Sequence, residues 1–136
     1  MTIAFEVPGE PVPKKRPRVV KGRTFTPPQT VEYEQAIAWR FKAEYQGQPL
    51  EGPLRVWVTV REVDRPVQRQ GDLDNYLKSA LDALNGLAWK DDRQVVDVMA
   101  TVNRHAYTAG MFIEIETLSN PEWIDRAPMR GTKAQT

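Results

Sequence analysis

Gly71-Asp72-Leu73-Asp74-Asn75-Tyr76-Leu77-Lys78-Ser79-Ala80-Leu81-Asp82-Ala83-Leu84-Asn85-Gly86, followed by Trp89-Lys90-Asp91-Asp92-Arg93-Gln94-Val95-Val96, decides how this 136-residue chain reads. Leu73, Leu77, Ala80, Leu81 and Leu84 recur at helical spacing, which predicts a helix over 75–85 ended by Gly86. The β-branched run that begins at Val95 predicts a strand to Val102. Four carboxylates, Asp72, Asp74, Asp91 and Asp92, therefore sit at the two ends of one helical unit, with Lys78 between them. Hard oxygen donors of this kind hold Mg²⁺ or Mn²⁺, and such ions do phosphate chemistry.

Upstream, Leu54, Val56, Val58 and Val60 alternate with Arg55, Trp57, Thr59 and Arg61, predicting a strand over 53–63. Tyr33, Ala36, Ile37 and Phe41 trace a helical face. That helix is expected to use Thr30 as N-cap, with Glu32 and Glu34 in its first turn, and to stop at Gly47. Ile3, Phe5 and Val7 predict a short first strand. Residues 9–28, with a turn at Lys21-Gly22-Arg23, read as a basic arm or loose hairpin too polar for the core. Downstream, Met111, Ile113 and Ile115 alternate with Phe112, Glu114 and Glu116, and this strand is expected to pair with 95–102 as an antiparallel hairpin. The expected fold class is α+β: a small mixed β-sheet packed with two main helices, in one domain over 1–118. Residues 119–136 are expected to form a partly disordered tail.

Composition narrows the chemistry. The chain has no cysteine, which excludes thiol catalysis, zinc–thiolate sites and disulfide frameworks. No apolar run approaches the roughly 18 residues of a membrane span, and the first residues do not resemble a signal peptide, so a cytoplasmic protein without a membrane partner is expected. The net charge of +1 hides an uneven distribution. Lys14, Lys15, Arg16, Arg18, Lys21 and Arg23 form a block with no acid between Glu10 and Glu32. Arg61, Arg65 and Arg69 then run up to Asp72. Basic flanks around an acidic centre suit a polyanion that must be gripped and brought to a metal.

Each acidic pair also has a plain structural reading. Asp72 or Asp74 can cap the helix, and two residues so spaced share a metal only if Asp72 is extended and the helix begins at or after Asp74. Asp91 and Asp92 can be a polar turn between helix and strand. A helix of about eleven residues spans roughly 16 Å, so its two ends meet one ion only if 86–90 doubles back. Lys78 can lie in a surface ladder with Asp74 and Asp82, or stand beside the metal to offset charge on the phosphorane. His105, the only histidine, reads as an exposed loop residue.

The D-x-D-N run, the lysine six residues after its first Asp, the D-A-L helix and the D-D-x-Q-V-V run together resemble the RusA family of Holliday junction resolvases. The similarity is strongest from Arg69 to Asp97, and the arm 12–18, Thr24-Phe25-Thr26-Pro27 and Tyr33-Glu34 are similar to phage and prophage members. The resemblance implies a homodimeric, Mg²⁺-dependent endodeoxyribonuclease, with Mn²⁺ able to substitute, that nicks four-way DNA junctions symmetrically in recombination and repair. It places the metal-binding aspartates at Asp72, Asp74 and Asp92, with Asp91 a further candidate, and the catalytic lysine at Lys78. The DNA-gripping residues are expected to be Lys14, Lys15, Arg16, Arg18, Lys21, Arg23 and Arg69. Two alternatives stand beside this reading: a flap or other branched-DNA phosphodiesterase on the same scaffold, and a non-catalytic DNA-binding module.

Overall fold

Alternation places Leu54, Val56, Val58 and Val60 on one side of strand β4 (Leu54–Arg61), and all four are buried. The same face continues through Ile3, Phe5 and Val7 of β1 (Thr2–Pro8) and Met111, Ile113 and Ile115 of β6 (Gly110–Thr117). In the computed structural model, which describes residues 1–15 and 18–118, these strands form a four-stranded sheet in the order β1-β6-β4-β5, with β5 at Val95–Asn103. Helices α1 (Pro28–Glu44) and α2 (Leu73–Leu84) cover the apolar face, closing the core with Ile37, Phe41, Tyr76, Ala80 and Leu84. The result is the expected α+β domain with two main helices on a mixed sheet.

The expected hairpin between the last two strands does not form. β5 pairs in parallel with β4, and β6 lies on the other side of β4, antiparallel to it and to β1. Period-two patterning tells which face a side chain takes but not which strand lies next door. The apolar β6 goes to the sheet centre, while β5, carrying Asp97, Thr101 and Asn103, takes the edge. The link 104–109 thus crosses the end of β4, where Arg61 is in register with both Asn103 and Gly110. The segment between β4 and β5 contains α2, so both acidic pairs lie on one crossover connection.

Helix α1 begins earlier than expected. Pro27 is its N-cap and Pro28 its first residue, because proline at that position loses no helical hydrogen bond. Thr30 is consequently inside the helix and buried, and Glu32 and Glu34 fall beyond the first turn. The helix ends at Glu44 rather than at Gly47. Tyr45 turns extended and its hydroxyl donates to the Gln48 carbonyl at 2.7 Å, laying the ring where a side chain at 47 would stand.

The arm is part core and part hairpin. Val12 is buried, against expectation, and its carbonyl accepts a bond from Ser79 Oγ at 2.8 Å. The Lys14 N–H donates to the Asn75 carbonyl at 2.8 Å. Beyond it, β2 (Arg18–Val20) and β3 (Arg23–Phe25) pair antiparallel. Their two-residue link, Lys21 and Gly22, has φ of 51° and 76°, as a tight hairpin turn requires. The expected tail lies outside the described residues from 119 onward.

Candidate active site

The alternation that buries Val58 and Val60 carries one step past the end of β4 and buries a carboxylate, Glu62. Its side chain accepts the Gly71 N–H at 2.9 Å, the Tyr76 hydroxyl and Arg104 Nη1 at 2.8 Å, with Arg65 Nη2 at 3.3 Å. Its backbone joins the loop after β5: the Glu62 N–H donates to Asn103 and its carbonyl accepts from Ala106. Burial pushes the Glu62 carboxyl up, but the bonds from Tyr76, Gly71 and Arg104 and the charge of Arg65 outweigh it and hold it below the ordinary carboxylate range. Burial and the Glu62 charge in turn raise the Tyr76 phenol, which stays a neutral donor. Glu62 therefore ties the backbone immediately before Asp72 to the first turn of α2. Sequence reasoning missed it, although the inward register of the strand was the available signal.

With Gly71 fixed, Asp72 is the extended N-cap of α2, at φ −74° and ψ 139°, and the helix starts at Leu73, one residue before the limit set for a shared metal. The Asp72 carboxylate does not cap the helix; the Asn75 amide lies 3.5 Å from it. Asp74, in the first turn, is exposed and makes no bond among the described residues. Both carboxylates stand at the positive end of the helix dipole. Lys78, one turn on, is exposed and also unpaired among the described residues. The surface ladder, one of the two readings of Lys78, does not form among the described residues: Asp82 turns instead to Lys14 at 3.3 Å, and Lys14 also holds Glu34 at 2.8 Å. These carboxylates raise the Lys14 ammonium against the opposing effect of burial.

At the other end of α2, Gly86 takes φ 82° and its N–H donates to the Trp89 carbonyl at 2.7 Å. The buried Trp89 ring then donates from Nε1 to Asp92 Oδ1 at 2.8 Å, so a core residue orients an exposed carboxylate. Asp91 has different work. Its carboxylate accepts the Arg93 N–H at 2.8 Å and pairs with the Arg93 guanidinium at 2.8 Å, which holds it below its ordinary range. Gln94 closes this capping box and ties the turn to Leu50 and Gly52. Asp91 thus serves the turn, while Asp92 is presented outward.

The three aspartates expected to bind metal are not gathered into one ready-made cage: among the described residues, no three His, Asp or Glu side chains converge as a ligand set. Mg²⁺ fits the site nevertheless, because it is commonly held by one or two carboxylates plus water and substrate phosphate. Asp72, approached only by the Asn75 amide, and Asp74, with no bond among the described residues, are both exposed, and either carboxylate can supply such a donor. Of the expected DNA-contact residues, Lys15, Lys21, Arg23 and Arg69 are exposed and unpaired among the described residues, whereas the Lys14 ammonium is engaged. Arg16 lies outside the described residues, and Arg18 enters β2 by its backbone. Arg61 pairs with Glu6, and Arg65 with Glu10 and Glu62. His105 is exposed beside Asp64.

No helix among the described residues is long and apolar enough to cross a membrane. Residues 8–116 match the family model described as Endodeoxyribonuclease RusA. The chain is 27% identical over 115 residues to the crossover junction endodeoxyribonuclease RusA of Aquifex aeolicus (strain VF5), covering 82% of this chain and 88% of that protein. It is 31% identical over 118 residues to the uncharacterized protein YqaN of Bacillus subtilis (strain 168), covering 71% of this chain and 83% of that one. The match spans both acidic pairs, the arm, both helices, strands β4 and β5 and all but the last residue of β6, and the chain is accordingly a nuclease belonging to the RusA endodeoxyribonuclease family.

Proposed function

We propose that this chain resolves Holliday junctions, as a homodimer that uses Mg²⁺ to make paired, symmetric nicks. The observation that carries the reading is the contrast between two sets of charges. Asp72, Asp74 and Lys78 are exposed and uncommitted on one helical end, while neighbouring charges that serve the fold, Glu62, Asp82 and Asp91, are all paired. Unpaired charge at a preorganised position is what phosphoryl chemistry needs.

Asp72 or Asp74 would hold the divalent ion, the two sharing it only if the first turn of α2 opens as DNA binds, with Asp92 a further donor oriented by Trp89. When bound, the ion supplies Lewis-acid stabilisation to the phosphate as negative charge builds on it. Lys78 adds positive charge beside the scissile phosphate without occupying a coordination position. Glu62 keeps the Asp72 backbone from drifting as DNA binds. Lys15, Lys21, Arg23 and Arg69 grip backbone phosphates, giving affinity but little sequence reading. Two cuts at symmetric positions require two such sites, and a two-fold dimer supplies them with the symmetry of the junction.

Labelled four-way junction, flap and linear duplex incubated with the protein, in Mg²⁺ or in EDTA, test this. Paired nicks confined to the junction and abolished by EDTA are expected. Cutting of flaps but not junctions would move the reading to another branched-DNA phosphodiesterase, and binding without cutting in either Mg²⁺ or Mn²⁺ would leave only a binding module.

A further inference from the structure

Beside the Asp72 backbone, between the arm and the short 3-10 turn Val67–Arg69, lies a cleft of about 450 Å³. It falls within the 300–1,000 Å³ typical of ligand sites and suits one nucleotide better than a duplex. Its lining joins three kinds of chemistry. Pro11 and Pro13 give flat apolar surface, Gln68 and Gln70 give amides, and Lys15 and Arg69 give positive charge at Gly71. Arg65 and Glu10 also line it, the Arg65 guanidinium clamped between the Glu10 and Glu62 carboxylates, while its buried Nε does not open onto the cleft.

We propose that this cleft receives one unstacked nucleotide of the DNA at the branch point, its base against the proline and glutamine wall and its phosphate toward Lys15 and Arg69. A backbone phosphate of intact duplex would need only the rim cations, not a concave, partly apolar wall. Bases flanking the branch point lose a stacked neighbour when the junction opens, so unstacking one of them costs less than inside continuous duplex. Occupancy would also anchor the strand next to Asp72. The inference rests on the junction reading and adds to it a subsite for a single base.

The test uses the full chain and a set of four-way junctions, each with 2-aminopurine at one position near the branch, in EDTA so that no cutting competes. Gln68 is exposed and makes no hydrogen bond among the described residues, so it can be changed without disturbing the fold. With wild type, fluorescence should rise on binding at one position. Gln68→Trp fills the cleft; it should remove the rise and weaken junction binding by roughly tenfold, within the cost of one lost base-stacking contact. Junction binding with no rise at any position, or a rise that survives in Gln68→Trp, would overturn the subsite and leave junction resolution intact. Failure of wild type to bind any junction would overturn both.

Discussion

Single side chains in this molecule divide by whether their charge is spent. Asp72→Asn, Asp74→Asn and Asp92→Asn should each abolish cleavage while junction binding survives or tightens, because a negative charge facing phosphate is removed. Near-normal cutting by one of them in Mg²⁺ would take that residue out of the site. Two lysines make a sharper contrast. Lys78→Ala should slow single-turnover cleavage by about 10²–10³-fold, the usual loss for one preorganised charge-stabilising group. Its urea midpoint should not move, since Lys78 has no partner to lose among the described residues. Lys14→Ala should do the reverse, with cutting at saturating protein retained and stability down by about 1–2 kcal/mol, between an exposed and a buried ion pair. The motifs single out the first group in the sequence as candidates, because hard-donor chemistry dictates residue type and spacing. The role of Lys14 was not readable. Its partners, Glu34 and Asp82, meet it only after α1 and α2 have packed.

Among the secondary-structure elements, positions fixed by local rules were readable and those fixed by competition were not. Alternation predicted β4 and β6, apolar spacing predicted α2, and Gly86 ended it where its φ of 82° allows. The partner of β5 was not readable, because two arrangements bury the same faces and only the assembled sheet selects between them. Glu62 shows the same limit. Its register pointed inward, but its four partners come from residues 65, 71, 76 and 104. That convergence makes a test by pH. The folded-state pKa lies below the ordinary 4.5, so the unfolded chain binds the proton more tightly. Glu62 therefore contributes stability above pH 4.5, and this is lost as pH falls through the lower folded value. Glu62→Gln should cost about 3 kcal/mol at pH 7, since Arg65 and Arg104 lose their buried counter-charge. Urea unfolding across pH 3–7 should give a flatter curve for the variant in the acid range. Equal slopes would mean that the Glu62 carboxyl titrates alike in the folded and unfolded chain, and a steeper loss of stability with rising pH in the wild type would mean that it is neutral in the native protein.

On the proposed reading the molecule separates grip from chemistry: exposed cations with no ion pair among the described residues lie on the arm and the 3-10 turn, and the exposed carboxylates Asp72 and Asp74 at the start of α2. Each phosphate neutralised on duplex DNA steepens the salt dependence of binding by about 0.9 log unit per log unit of salt. Lys15, Lys21, Arg23 and Arg69 make no ion pair among the described residues, so each is free to release counterions on binding. Replacing all four by Ala should weaken junction binding and flatten the salt slope by up to about 3.6 units, four times the single-phosphate value. Lys14→Ala alone should leave that slope nearly unchanged, because its ammonium already faces Glu34 and Asp82. Single-turnover cutting by the quadruple variant should recover at saturating protein, since Asp72, Asp74 and Lys78 are untouched. A slope that stays at the wild-type value would mean that these cations do not meet the DNA. The grip would then have to come from a surface that only the dimer completes. Sedimentation would show whether that dimer exists, and the slope measured above and below its dissociation concentration would show whether it supplies the contact.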